Sequence, residues 1–235
     1  MALSPLSLDH VALWVADRDR IAAFAIDHLG MHEIERTDDF TLVGADARRF
    51  KLTLFAGEGP RDRGRLDHVA LRVSDLAAAE AVLPAEFDLD RSAPGELAFD
   101  VAEGLRIVLV EARTPTEYDL DHVALVASDP QASADSWHLL GFHEARLGAD
   151  GSVRVGVGGA YVELVPGPAA ATDRPLLNHI AVLVDSADDL RDQAVQAGAE
   201  VLDVKDAEKT YAVFVGGPDG VKLEYVEHKP SFSLV

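Results

Sequence analysis

Asp9-His10-Val11-Ala12-Leu13 returns as Asp67-His68-Val69-Ala70-Leu71 and as Asp121-His122-Val123-Ala124-Leu125. A softened copy follows as Asn178-His179-Ile180-Ala181-Val182. The four histidines stand at near-constant spacing, so the chain reads as four copies of one module. Each copy opens on a short strand rich in β-branched and apolar residues. A helix start follows: Asp17 for the first module, Ser128 with Asp129-Pro130 for the third, and Ser186 for the fourth. The helical stretches are IAAFAIDHL, AAAEAVL, ASADSWHLL and DLRDQAVQA, with Gly30, Gly141 and Gly198 where a helix end takes a left-handed residue. Three short strands complete each copy; in the fourth they are EVLDVK, YAVFVG and VKLEYVE, with Gly217-Pro218-Asp219-Gly220 as a turn.

The unit is therefore β-α-β-β-β. One unit cannot cover both its helix stripe and its sheet face, so units should pair. The fold class is α+β, with four modules paired into two open barrels. The spacing predicts a first domain over 1–113 (modules 7–57 and 65–112) and a second over 118–229 (modules 119–167 and 176–228). The stretch ARTPTEYD, 112–119, is the expected boundary. The tail over 230–235 has no counterpart in the repeat.

The composition narrows the partners. The chain has 235 residues, 48% of them hydrophobic and 26% charged, as in a globular protein with a core. It has no Cys, which excludes disulfides, thiolate metal sites and cysteine nucleophiles. A formal net charge of −20 repels nucleic acid and anionic membranes. No apolar run approaches a membrane span and no signal segment is visible, so a cytoplasmic protein acting on a small molecule is expected, with a homodimer left open.

Four β-α-β-β-β modules opening on DHVAL-like text resemble the vicinal oxygen chelate superfamily. Its members include glyoxalase I, extradiol dioxygenases and bleomycin resistance proteins. The resemblance implies that two modules form a cup holding a divalent metal on first and last strands. It is specific for fold and weak for reaction.

The residues themselves point to a metal. Each repeat His lies on a first strand, beside small residues of the same face, while its preceding Asp should point away. Aligning the last strands places Thr53, Val108, Glu163 and Glu224 at one position. The second half thus offers His122, Glu163, His179 and Glu224. Two His and two carboxylates suit Zn, Ni, Co, Mn or Fe(II). An unpaired carboxylate in a buried strand is costly, and a metal would satisfy it. Simple alternation onto the solvent face is the other reading of the two glutamates. His10 and His68 are expected to be a relic of duplication, with the first domain as scaffold. His28, His32, His138 and His143 read as surface or packing residues, and His228 as a neighbour of the cup.

Three activities follow from the resemblance. A four-ligand set of His122, Glu163, His179 and Glu224 matches glyoxalase-like lyase or isomerase chemistry. There a Glu at the metal edge, Glu163 or Glu224, removes a proton beside a metal-bound carbonyl. A three-ligand set of His122, His179 and Glu224 on Fe(II) matches an extradiol dioxygenase, although Phe214 stands where those enzymes have Tyr. Drug sequestration without a metal is the third.

Overall fold

The computed structural model describes residues 4–45, 51–114, 117–168 and 172–232, without the side chains of 144 and 145. Module one is β1 (Ser7–Val15), α1 (Arg18–His28), β2 (His32–Arg36), β3 (Phe40–Gly44) and β4 (Lys51–Ala56). Module two is β5 (Leu66–Val73), α2 (Leu76–Ala81), β6 (Glu96–Asp100) and β7 (Arg106–Glu111). Module three is β8 (Tyr118–Ala127), α3 (Pro130–Leu139), β9 (His143–Leu147), β10 (Val153–Val157) and β11 (Ala160–Pro166). Module four is β12 (Leu177–Leu183), α4 (Ala187–Gln196), β13 (Val201–Asp206), β14 (Thr210–Gly216) and β15 (Lys222–His228). Module two is a strand short of the expected unit. Its segment between α2 and β6 contains Pro84 and Pro94, which cannot donate to a ladder, and makes only an isolated bridge from Asp90 to Ala98.

The helix signals act locally as expected. Asp17, Asp75, Asp129 and Ser186 accept a backbone N–H of the first turn of α1 to α4. In α3 the cap is Asp129, with Pro130 opening the helix. Gly30, Gly141 and Gly198 have φ of 60, 97 and 94°, the left-handed values that end helices.

The chain forms two mixed sheets. One runs β13-β14-β15-β12-β1-β4-β3-β2 and the other β6-β7-β5-β8-β11-β10-β9. Within every module the first strand pairs in parallel with the last: β1 with β4, β5 with β7, β8 with β11 and β12 with β15. Between modules the first strands pair antiparallel, β1 with β12 and β5 with β8. Module one therefore shares its sheet with module four, and module two with module three. This corrects the expected pairing of consecutive modules into halves 1–113 and 118–229. The reason lies in the connections. Modules two and three are joined by the shortest link, 112–117, which keeps them adjacent. The longer links 57–65 and 167–176 carry the chain from one sheet to the other. These two crossovers run side by side: Asp62 bridges Pro175 in parallel, its N–H donates to the Arg174 carbonyl at 3.0 Å, and Thr172 Oγ1 donates to its carboxylate at 2.7 Å.

Alternation along the strands sorts the residues. In β4, Leu52 and Leu54 are buried in the main core, while Lys51, Thr53 and Phe55 share the other face. In β15, Leu223 and Tyr225 join that core, and Glu224, Val226 and His228 take the opposite side. These second faces, with those of β1, β12, β14 and β3, enclose a cavity of about 350 Å³. Among the described residues, no helix is long and apolar enough to cross a membrane.

Candidate metal centres

The first centre lies where module one meets module four. His10 of β1, His179 of β12 and Glu224 of β15 converge in the 350 Å³ cavity. The two Nε2 atoms are 3.1 Å apart, and the Glu224 carboxylate lies 2.7 Å from His179 and 3.3 Å from His10. The second centre repeats this between modules two and three, from His68, His122 and Glu163. Its Nε2 atoms are 2.8 Å apart, and Glu163 lies 3.4 Å from His122.

The strand register explains the geometry. Thr53, Val108, Glu163 and Glu224 each pair with the Ala two residues after a repeat His. The sequence alignment of those four positions is thus the structural one. The grouping differs from expectation. His122 and His179 belong to different sheets, so the four-residue set His122, Glu163, His179 and Glu224 does not form one site. His10 and His68, expected as relics, each stand in a triad with a second His and a Glu. Every centre has two His and one Glu, with a fourth position that offers little: Thr53 in the first and Val108 in the second.

The repeated Asp also behaves differently from a residue of a regular strand. Asp9 and Asp67 are skipped in the β1–β12 and β5–β8 ladders, and so are their counterparts Asn178 and Asp121. Each is the extra residue of a β-bulge, which re-aims side chains. The bulge turns the carboxylate onto the next residue. Asp9, Asp67 and Asp121 lie 2.7–2.8 Å from Nδ1 of His10, His68 and His122, and the Asn178 amide oxygen lies 3.0 Å from that of His179. Holding Nδ1 fixes the tautomer and ring orientation and leaves Nε2 bare for a ligand. Recurrence of Asp before three of the four repeat histidines was the available signal for this role.

Electrostatics differ between the centres. At the first, burial resists charge on His10, but Glu224 and Asp9 outweigh it and raise the imidazole to about 9. Burial likewise works against the Glu224 carboxylate, yet His10 and His179 hold it at about 2. Burial lowers His179. Three lone-pair atoms aimed at one point need a shared cation, and in the metal-free protein a proton on His10 fills that role. Behind it sits an unusual group. Lys51 is 1% exposed and Asp9 2%, and Lys51 Nζ lies 2.6 Å from the Asp9 carboxylate. His228 Nε2 approaches the same carboxylate at 2.9 Å. At the second centre, burial lowers His122. Glu163 gives one oxygen to Arg154 Nε at 2.8 Å and Ser152 Oγ at 3.1 Å. Tyr161 stacks on the His122 ring with centroids 4.6 Å apart.

The remaining histidines fall outside both centres. His28 and His138 bond the carbonyls of Val82 and Phe142, and His228 lines the first cavity.

Known proteins share this architecture. The structure resembles a protein of Bacillus subtilis subsp. subtilis strain 168 provisionally described as a dioxygenase, with TM-score 0.78, 18% identity, and 97% of this chain and 87% of that one covered. It also resembles glyoxalase I from Zea mays, with TM-score 0.78, 18% identity and coverage of 94% and 92%. The cppA protein of Streptococcus pneumoniae TIGR4 matches with TM-score 0.63, 16% identity and coverage of 96% and 100%. At such identities the likeness is one of fold. No curated protein matches the chain in sequence. The family model for the Glyoxalase/Bleomycin resistance protein/Dioxygenase superfamily matches residues 7–86 and 119–225, most of the chain, and the protein belongs to that superfamily.

Proposed function

We propose that the first centre holds a divalent metal on His10, His179 and Glu224 and acts, as a dioxygenase, on a small molecule presenting two adjacent oxygens. The observation that carries this reading is the ligand count. Glyoxalase-like proton abstraction requires a second carboxylate at the metal edge, and that position is Thr53 in one centre and Val108 in the other. Two His and one carboxylate leave several coordination positions open, the donor set of non-haem Fe(II) oxygenases. A ferrous ion held there supplies Lewis acidity and the capacity to engage dioxygen.

The chain's own residues do the rest. Asp9 and Asn178 hold His10 and His179 with Nε2 facing the cavity. Phe40, Phe55 and Phe214 give the cavity an apolar, aromatic wall that excludes water and suits a planar ligand. The His179 ring meets Phe214 edge-on at 5.2 Å. The buried Lys51 keeps Asp9 ionised: burial opposes the charge, but the ammonium beside it holds the carboxyl well below its ordinary value.

The test is oxygen uptake. Protein loaded anaerobically with Fe(II) is mixed with catechol and air, and oxygen consumption and a ring-cleavage chromophore are followed. Uptake that disappears in His10→Ala supports the reading. A protein that instead isomerises a hemithioacetal with Ni(II) or Zn(II), without oxygen uptake, would return the assignment to glyoxalase chemistry.

A further inference from the structure

A second cavity, of about 480 Å³, opens along β9, β10 and β11 of the other sheet. Its described lining includes His143, Arg146, Arg154 and Tyr161 and no Asp or Glu. In a chain with 41 Asp and Glu against 21 Lys and Arg, that reverses the overall balance. The strands build this lining. Tyr161 and Glu163 are two residues apart on β11 and share a face. Arg154 of β10 pairs with Glu163, and Gly156 with Tyr161. On β9, Arg146 pairs with Arg154 and His143 with Gly156. His143 and Arg146 are three residues apart, so strict alternation would put them on opposite faces. An irregularity in the β9–β10 ladder between these two pairs brings both into the cavity. Gly156 adds no side chain opposite Tyr161, as glycines do where a ligand comes close to a strand.

Arg146 and Arg154 stand directly opposite each other, and like charges so placed repel. An anion held between them replaces that repulsion by two charge-assisted contacts. Arg154 is already positioned for this. Its Nε donates to Glu163 at 2.8 Å, and its guanidinium lies over the Tyr161 ring, 4.8 Å from the centre. Tyr161 is in turn stacked on His122. Among the described residues, the terminal nitrogens of Arg154 make no hydrogen bond. These are the N–H groups with which a guanidinium grips an oxyanion, and one fixed in advance loses little freedom on binding. We propose that this cavity binds the oxyanion group of a small molecule, a phosphate or a carboxylate, between Arg146 and Arg154. The site lies in the other sheet from the first centre and does not depend on the metal reading of that centre.

Calorimetric titration of the chelator-treated full chain at low ionic strength tests this, with inorganic phosphate and malonate as probes. Wild type should bind at least one of them. Tighter binding of phosphate assigns a phosphorylated ligand to the site, and tighter binding of malonate a carboxylate. Arg146→Ala and Arg154→Gln should each weaken that binding about 10- to 100-fold, the loss of one charge-assisted hydrogen bond. Arg146→Lys should recover only part of it, because an ammonium keeps the charge without the planar fork. Arg20→Ala removes an exposed charge on α1, away from the cavity, and should leave the affinity within about twofold of wild type. A wild type that binds neither probe would overturn the proposal. So would an unchanged affinity in Arg146→Ala, an exposed position where the fold is not at stake. Equal weakening by Arg20→Ala would reduce the effect to overall charge and overturn it as well.

Discussion

Replacing Asp9 by Ala separates two roles that one carboxylate plays. Asp9 bonds Lys51 at 2.6 Å, approaches His228 at 2.9 Å, and holds His10 Nδ1 at 2.8 Å. Its partner Lys51 is 1% exposed and cannot reach water when the carboxylate is gone. Removing one member of such a buried pair costs about 3–5 kcal/mol, because the remaining ammonium is left uncompensated. For a chain of this length that corresponds to a fall in Tm of about 6–20 °C. The same substitution loosens the His10 ring, and loss of a partner behind a metal-binding His lowers metal affinity about 10- to 100-fold. Adding Lys51→Met removes the stranded charge and should restore most of the stability, since apolar replacement of a whole buried pair is close to neutral. It should not restore the metal affinity. Stability is read as the Tm of chelator-treated protein in thermal unfolding, and affinity by zinc titration at pH 7.5. A Tm within about 2 °C of wild type for Asp9→Ala, or a double variant no more stable than the single one, would refute the buried-pair argument. Recovery of metal affinity in the double variant would refute the orienting role.

Other outcomes are equally specific. Elemental analysis should find up to two ions per chain; His10→Ala should remove one of them and His68→Ala the other. The second ion should bind more weakly, because Arg154 and Ser152 occupy one oxygen of Glu163. The proton on His10 at the first centre must leave before a metal binds there, so below about pH 9 apparent affinity should fall by up to about tenfold per pH unit, measured by zinc titration between pH 6 and 9. In metal-free protein the sign is the reverse. The raised His10 value stabilises the fold fully below about pH 6.5, and that contribution is lost as pH rises through about 9, so the Tm of chelator-treated protein should decline over that interval. Thr53→Glu should add a second carboxylate as fourth ligand, tightening Zn(II) or Ni(II) at the first centre and suppressing oxygen uptake by filling an open position.

The amino-acid sequence by itself determined the module. DHVAL text at constant spacing, Asp and Ser caps, and glycines after helices are local signals, and each acts through its own few residues. It also determined the equivalence of Thr53, Val108, Glu163 and Glu224, because a two-residue strand period carries register from one copy to the next. Only the tertiary structure decided which modules meet. Four nearly identical first strands offer the same backbone ladder to one another, so pattern alone does not choose between consecutive and crossed pairing. The short link 112–117 and the paired crossovers at Asp62 and Pro175 make that choice. It moves His10 from expected relic to candidate ligand and splits the four-residue set into two triads. The bulges were equally hidden. Strict alternation sends Asp9 away from His10, and a single extra residue in the ladder brings its carboxylate back onto the ring. Lys51 illustrates the same limit: a lysine at the head of a strand reads as solvated until β15 and the tail close over it with His228 and Phe232.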